Sequence, residues 1–244
     1  MLWSILGGSR QREDDKVKLR KMFPTKLPFG AEIDDDGVWR QLLTRLNGTE
    51  RRAALFLDRD GVIVEEAHYL RKVKDMFLID GAADVIRLAN ANNIPVIVVT
   101  NQAGIGRGIL NWDQFIDVQE AMLDALADLG AYVNAVFACP HHAEGHAPYN
   151  VKNHPARKPN PGMLLAAAEM MPIKFEGSWI IGDHAGDIGA AKNAGCDGGV
   201  HVLSGHGPEE RAGAAAHKTI TFDVKHANSI KDAGPMIPLL SIKK

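Results

Sequence analysis

The chain has 244 residues, of which 45% are hydrophobic and 24% are charged, and its formal net charge is −2. This length suffices for one domain with a full core, and the composition is that of an ordinary globular protein. A charge so close to zero gives no reason to expect nucleic acid or an anionic membrane surface as a partner.

The cysteines and the apolar runs bear on the compartment. Two cysteines, Cys139 and Cys196, cannot make a disulfide framework, which favours a reducing compartment. No apolar run is long enough to span a bilayer, and the first residues lack the basic region of a secretory signal. We therefore expect a cytoplasmic protein without a membrane partner, and a monomer.

Residues 1–50 differ from the remainder and are predicted to form an N-terminal arm. A mixed charge run, "SRQREDDKVKLRK", is typical of a solvated segment. Behind an acidic stretch, apolar residues recur at helical spacing and predict one short helix packed on the main domain, at Val38, Leu42, Leu43 and Leu46. The main domain is then expected over residues 51–244.

From residue 53 onwards, short apolar runs alternate with helical patterns. The runs predict strands at 53–57, 95–100, 135–139, 178–182 and 198–203, and the patterns between them predict helices near 81–92, 112–129, 161–170 and 185–194. Apolar strands that do not alternate with polar residues indicate a parallel sheet covered on both faces. The predicted fold class is therefore α/β, a doubly wound, Rossmann-like parallel sheet.

Two carboxylates directly follow the first of these strands. Asp58 and Asp60 stand at positions i and i+2 before Gly61, so they can converge where the chain turns out of the sheet. Taken alone, the pair would be two solvated acids in a turn. Polar groups after other predicted elements favour a site instead, because ligands of such sheets bind beyond the carboxyl ends of the strands.

Groups suited to phosphate follow at two other places. Thr100 offers a hydroxyl, and Asn101 with the glycine-rich turn "GIGRG" offers N–H donors. In "RKPNPG" the prolines fix a turn that presents Arg157 and Lys158 as cations. Each feature alone also describes an ordinary turn or a solvated basic residue.

A second pair of carboxylates lies in "GDHAGDIGAAKNAG". Asp183 comes just after a strand and can cap the following helix, and Asp187 comes four residues later. Capping would explain one of these aspartates, but it does not explain both of them together with the earlier pair.

These four motifs, in this order, resemble those of the haloacid dehalogenase (HAD) superfamily of phosphohydrolases, over residues 53 to about 205. Within it, the stretches "FLDRDGVI", "VTNQAGIGRG" and "RKPNPGM" are similar to those of the heptose bisphosphate phosphatases. The resemblance implies a HAD-type fold and a phosphoric monoester hydrolase. The implied substrate is a sugar phosphate, at the 7-phosphate of D-glycero-D-manno-heptose 1,7-bisphosphate, with histidinol phosphate or another small phosphomonoester as the alternative.

The resemblance also implies roles for these residues. Asp58 would be the nucleophile that forms an aspartyl-phosphate, and Asp60 would protonate the leaving oxygen and then activate water. The phosphoryl group would be bound by Thr100, Asn101 and Lys158. We expect Arg157 and Arg107 to hold a second phosphate, because the planar fork of arginine grips phosphate with two hydrogen bonds.

The implied cofactor is Mg²⁺, which prefers hard oxygen ligands and substrate phosphate. Its protein ligands would be the carboxylates of Asp58 and Asp183 and the backbone carbonyl of Asp60, with Asp187 orienting water or Lys158 from just outside. The short connections around the strands leave no room for a separate cap domain, so we expect the site to be closed only by the segment 64–75 and by the loop 139–157.

A histidine-bearing loop follows the strand that ends at Cys139. The resemblance implies structural zinc here, with two ligand pairs, of which this chain supplies Cys139 and His141 but only His154 from the second. Three alternatives remain: zinc with a fourth ligand from His142 or His146, weakly bound zinc with water as the fourth ligand, and a loop without metal.

Overall fold

The computed structural model describes residues 24–241. Their centre is one eight-stranded sheet, which comprises β1 (Ala31–Ile33), β2 (Trp39–Leu42), β3 (Arg52–Leu57), β4 (Val96–Asn101), β5 (Ala135–Cys139), β6 (Ile173–Gly182), β7 (Gly198–Val202) and β8 (Asp223–Ala227). The strand order is β1-β2-β5-β4-β3-β6-β7-β8. The β1–β2 and β2–β5 pairs are antiparallel, and every other pair is parallel.

Seven α-helices lie in the described residues. They are α1 (Ala82–Ala91), α2 (Ala103–Gly106), α3 (Trp112–Asp128), α4 (Gly162–Met170), α5 (Ala185–Ala194), α6 (Gly207–Ala215) and α7 (Ile230–Ala233), with short 3₁₀ helices at Val73–Asp75, Gly234–Met236 and Pro238–Leu240. The four predicted helices and five predicted strands are confirmed to within a few residues, with β6 beginning earlier than expected.

Both faces of the sheet are buried, which explains why the strands appear as unbroken apolar runs. In β3 the side chains of Leu55 and Leu57 belong to one hydrophobic cluster, whereas those of Ala54 and Phe56 belong to the cluster on the opposite face. Successive strand residues point to opposite faces, so a strand covered by helices on both sides needs apolar residues throughout. The doubly wound α/β fold is therefore confirmed.

The helix predicted in the N-terminal arm is wrong. Residues Trp39–Leu42 form strand β2, paired with β5, and the side chains of Trp39 and Gln41 are buried at alternate positions. Trp39 stacks on Trp112 with ring centroids 5.6 Å apart and meets Phe115 edge-on. Backbone pairing with β5 and aromatic packing outweigh the helical spacing of the leucines. This part of the arm belongs to the sheet, and residues 1–23 lie outside the described residues.

The order of the strands brings the predicted site residues together. Strand β3 lies between β4 and β6, with Leu57 in register with Val98 and Ile181. The residues that follow these three strands therefore meet at one end of the sheet. Within residues 24–241, the connection between β3 and α1 contains turns and one 3₁₀ helix but no inserted domain, as expected. No helix in the same range has the length and apolar character to cross a membrane.

Candidate active site

The centre of the site is a lysine held between two aspartates. The Nζ atom of Lys158 lies 2.7 Å from Oδ1 of Asp58 and 2.6 Å from Oδ1 of Asp187, and it also donates to the carbonyl of Val99 at 2.7 Å. Asp58 follows β3 directly, and Asp187 lies in the first turn of α5. All three charged side chains are buried, so they interact with little screening by water.

Burial and the neighbouring charges change the pKa of Lys158 and of Asp58. Burial lowers the pKa of Lys158, but the charges of Asp187 and Asp58 outweigh burial and raise it overall. Burial raises the pKa of Asp58, and the charge of Asp187 raises it further, against the opposing effect of Lys158. Lys158 is consequently a permanent cation that stabilises negative charge at this position.

Asp183, which directly follows β6, is the third member of a cluster of carboxylates with Asp58 and Asp187. Its Oδ2 accepts from the backbone N–H of His206 at 2.8 Å, whereas its buried Oδ1 has no hydrogen-bond partner among the residues described. Burial raises its pKa to about 9, and the charges of Asp58 and Asp187 contribute to that rise. One oxygen from each of these three aspartates can be chosen so that all lie within 4.8 Å of one another.

This arrangement fits a hard divalent cation. A partnerless buried carboxylate oxygen beside two further carboxylates is costly unless a positive charge compensates it, and oxygen ligands are those that Mg²⁺ prefers. The chain also leaves room for the carboxylate of Asp183, because Gly61 and Gly205 both have positive φ and a Cβ on either would lie within 2.6 Å of Oδ2.

Asp60 is oriented by two residues that the sequence reasoning missed. Arg59 holds its carboxylate with Nη2 at 2.8 Å and Nε at 3.2 Å, and Gln102 donates to it at 2.9 Å. The same Gln102 amide donates to the hydroxyl of Thr100 at 2.9 Å. Arg59 is buried, with its guanidinium 5.2 Å from the ring centre of Phe115. The signal for Arg59 was its position between two acids in "DRD".

The side chain of Asn101 contacts the backbone of the lysine loop. Its Oδ1 accepts from the N–H of Lys158 at 3.1 Å, and its Nδ2 donates to the carbonyl of Lys158 at 3.2 Å. Asn101 also lines the cavity, so its contact with phosphate stays a prediction, and its amide holds the backbone of Lys158 in addition.

A cavity of about 330 Å³ opens above this group. It is lined by the predicted residues Asp58, Asp60, Thr100, Asn101, Arg157, Lys158 and Asp187, and also by Glu66, His68, Tyr69, Gln102, His184 and His206. The last six had not been predicted, since they come from loops whose side chains show no periodic pattern.

The two predicted arginines differ in their placement. Arg157 lines the cavity and donates to the carbonyl of His141 at 3.0 Å. Arg107 is outside the lining of this cavity; it donates to the hydroxyl of Tyr69 at 2.7 Å and is paired with Glu144. Arg107 can therefore act on a bound molecule through Tyr69, and Arg157 can act on it directly.

The three candidate zinc ligands are not arranged as a closed zinc site. Cys139 belongs to the hydrophobic core, and burial raises the pKa of its thiol to about 12. The rings of His141 and His154 stack in parallel at 3.7 Å, and Nε2 of His141 donates to the carbonyl of Asp36 at 2.7 Å. In a tetrahedral site the ligand atoms converge on one point. Of the three alternatives, these contacts favour a loop that packs without metal.

Comparisons with known proteins agree with this geometry. The HAD-hydrolase-like family profile matches residues 155–232. The chain is 38% identical, over 67% of its length and 75% of the relative's, to the D-glycero-beta-D-manno-heptose-1,7-bisphosphate 7-phosphatase of Mesorhizobium japonicum.

Two solved structures resemble the whole fold. A HAD-like phosphatase from Mesorhizobium loti superposes with a TM-score of 0.76 and 30% identity, covering 89% of this chain and 100% of that one. The D,D-heptose 1,7-bisphosphate phosphatase of B. bronchiseptica, solved with magnesium and phosphate, superposes with a TM-score of 0.65 and 25% identity, covering 75% and 97%. The chain therefore belongs to the HAD-like phosphatases, a family of phosphomonoester hydrolases.

Proposed function

We propose that the protein is a Mg²⁺-dependent phosphatase that removes the 7-phosphate of D-glycero-β-D-manno-heptose 1,7-bisphosphate. The observation that carries the proposal is the buried amine of Lys158, which lies between Asp58 and Asp187 at the base of the cavity. A nucleophilic carboxylate beside a fixed cation is what phosphoryl transfer requires, since that chemistry depends on positioning and charge neutralisation. The substrate is inferred from the relatives, two of which are named heptose bisphosphate phosphatases.

In the first step, a carboxylate oxygen of Asp58 forms a bond to phosphorus while the bond from phosphorus to the sugar oxygen breaks. Asp60 gives its proton to the departing sugar oxygen. Arg59 and Gln102, which both contact the Asp60 carboxylate, keep that group directed at the cavity. Thr100, whose hydroxyl is held by Gln102, and Lys158 contact the transferred phosphoryl oxygens.

In the second step, Asp60 removes a proton from water as the water attacks the phosphorus of the aspartyl-phosphate. The bond to Asp58 breaks, inorganic phosphate leaves and both aspartates return to their starting states. The cation site would be formed by the carboxylates of Asp58 and Asp183 and the carbonyl of Asp60, and bound Mg²⁺ would neutralise charge on the phosphoryl oxygens. Asp187 keeps Lys158 in place at 2.6 Å throughout.

The distal phosphate of a bisphosphate would be bound at the rim of the cavity. Arg157 lines the cavity, and its guanidinium is fixed by the carbonyl of His141. Tyr69 lies in the same lining and is held by Arg107, so the two arginines act from one side. A bisphosphate could use the remaining donors of Arg157 and the hydroxyl of Tyr69, which a monophosphate would not reach, and this favours a bisphosphate.

The test is phosphate release with Mg²⁺ from the β-anomer of heptose 1,7-bisphosphate, with the α-anomer and histidinol phosphate as comparison substrates. Phosphorus NMR of the product identifies which phosphate leaves. We expect kcat/KM for the β-bisphosphate to exceed that for histidinol phosphate by at least about 10²-fold, the discrimination available when buried polar groups would otherwise be unpaired. Equal rates on both would retain the phosphatase chemistry and reject the proposed substrate.

A further inference from the structure

We propose that Asp183, His184 and His206 form a second metal site, selective for a late transition ion such as Zn²⁺, and that its occupation inhibits the enzyme. The inhibition rests on the proposed function, because it follows from the sharing of Asp183 with the Mg²⁺ site. Binding of the ion itself does not depend on that function.

The three side chains approach one another closely. One ligand atom from each can be chosen so that all lie within 4.8 Å of one another. The Nδ1 atom of His206 is 3.6 Å from Oδ2 of Asp183, is shielded from solvent, and has no hydrogen-bond partner in residues 24–241. Two ligands about 2.0–2.1 Å from a tetrahedral ion lie about 3.4 Å apart, so this pair needs little movement to chelate one.

His184 is oriented as a metal ligand commonly is. Its Nδ1 faces Oε1 of Glu210 at 3.7 Å, and the other oxygen of Glu210 accepts from the backbone N–H of Ala185 at 3.0 Å. When this carboxylate closes to hydrogen-bond distance it favours the tautomer with the proton on Nδ1, and Nε2 is then the atom available to an ion. The rings of His184 and His206 lie 4.6 Å apart and are tilted by 31° to each other.

The ligand types determine the class of ion. Two imidazoles and one carboxylate suit Zn²⁺, Co²⁺ or Ni²⁺, whereas Mg²⁺ is held by oxygen ligands and water. The side chains of His184 and His206 are 43% and 40% exposed, so an ion can enter from the cavity with water as its fourth ligand.

Occupation of this site draws Asp183 away from the neighbouring site. Asp183 has one carboxylate, and it belongs to both groups of potential ligands, one with Asp58 and Asp187 and the other with His184 and His206. An ion bound to His184 and His206 therefore competes with Mg²⁺ for Asp183. We expect inhibition by Zn²⁺ that excess Mg²⁺ relieves.

The first experiment measures binding without any substrate. Co²⁺ is titrated into the Mg²⁺-free full chain, and visible absorption is recorded, because four-coordinate Co²⁺ with histidine ligands absorbs far more strongly than six-coordinate Co²⁺ with oxygen ligands. The double variant His184→Ala/His206→Ala is expected to lose the strong band. The matched control is His141→Ala, which alters the other histidine cluster and should retain it. Loss of the band in the control alone would overturn the proposal, as would an unchanged band in the double variant.

A second variant tests the metal site without removing either histidine. Glu210→Gln keeps both histidines and removes the carboxylate charge that faces Nδ1 of His184. We expect affinity for Co²⁺ to fall by about 10-fold, the usual effect of losing such a partner. Unchanged affinity would reject the role assigned to Glu210 in orienting His184.

The second experiment measures inhibition of phosphate release by Zn²⁺ at two Mg²⁺ concentrations. We expect the half-inhibiting Zn²⁺ concentration to rise with Mg²⁺, and to rise at least about 10-fold in the double variant. Inhibition that Mg²⁺ does not relieve would reject competition for Asp183. A wild-type protein that releases no phosphate would reject the proposed function alone, since the Co²⁺ titration would still decide the metal site.

Discussion

The side chain of Asn101 forms a two-point hydrogen bond with the backbone of Lys158, through its Oδ1 to the N–H and through its Nδ2 to the carbonyl. The end of β4 thereby fixes the loop that carries Lys158, whose amine lies between Asp58 and Asp187. A substitution of Asn101 should therefore affect the reaction by displacing Lys158.

We predict that Asn101→Ala lowers kcat by about 10²-fold while KM changes less, because a displaced catalytic cation weakens the transition state more than substrate binding. Steady-state kinetics measures both constants. Asn193→Ala is the control. The amide of Asn193 donates to the carbonyl of Pro159, the residue that follows Lys158, from an exposed position. An equal loss in the control would mean that the loop is sensitive to any perturbation.

Asp58→Asn is expected to lower phosphate release by more than about 10³-fold, because the amide cannot attack phosphorus. Rapid quenching with phosphorus-labelled substrate should trap labelled protein from wild type and none from the variant. Asp80→Asn, which alters an exposed aspartate paired with Lys231, serves as the control. Labelled Asp58→Asn protein would place the nucleophile elsewhere.

Lys158→Met should destabilise the metal-free protein by about 3–5 kcal/mol, because it leaves two buried carboxylates without their cation. Urea unfolding measures the loss, and added Mg²⁺ should recover part of it by supplying positive charge. Lys231→Met, at an exposed ion pair, should leave the unfolding curve almost unchanged. A Lys158→Met protein as stable as wild type would mean that the carboxylates are neutral in the folded state.

The pKa of Asp183 predicts how stability depends on pH. With this pKa raised from 3.8 to about 9, the folded metal-free protein binds a proton that the unfolded chain releases, so this group's contribution to stability is lost as pH rises towards about 9. Mg²⁺ replaces that proton, and its affinity should increase with pH. Thermal melts should therefore show a larger Mg²⁺-induced rise in Tm at about pH 8 than at about pH 6. Asp183→Asn should abolish this difference; if it persists, another group is responsible.

Trp39→Ala tests whether the N-terminal hairpin, which is formed by the antiparallel strands β1 and β2, is part of the domain. The indole is fully buried against Trp112 and Phe115, and its removal should destabilise the protein by about 3–5 kcal/mol. Denaturant unfolding with a single transition would place the hairpin in the cooperative unit. Glu32→Ala, on an exposed position of β1, is the control. A small effect of Trp39→Ala would mean that the hairpin is only loosely attached.

The parts of the fold that could be predicted are those whose two faces are buried. Strands β3 to β7 contain apolar runs because helices cover them on both sides. Asp58 and Asp183 directly follow the adjacent strands β3 and β6, and Thr100 lies near the end of β4, which is the other neighbour of β3. Strand β8 contains Asp223, Lys225 and His226, which gave no strand pattern. Strand β2 was misread because its buried residue Gln41 is polar and because Leu42 matches a helical period with Val38, Leu43 and Leu46 on either side of the strand.

The missed site residues depend on contacts between distant segments. Gln102 acts through Asp60, and His206 reaches Asp183 from the loop after β7. Such pairings are set by the packing of the strands, and no local spacing encodes them. Likewise, the sequence alone does not reveal that Cys139, one of the three candidate zinc ligands, belongs to the hydrophobic core.

The hairpin also has a consequence for how the protein behaves in solution. Strand β2 pairs with β5 along Trp39–Leu42 and so covers backbone groups of a strand whose side chains are all buried. A fragment that started at residue 51 would leave this apolar strand as an open edge, ready to pair with a second molecule. Such a fragment should aggregate even though it contains every residue that we propose to act in catalysis. By covering the edge of β5, the hairpin should therefore reduce self-association of the protein.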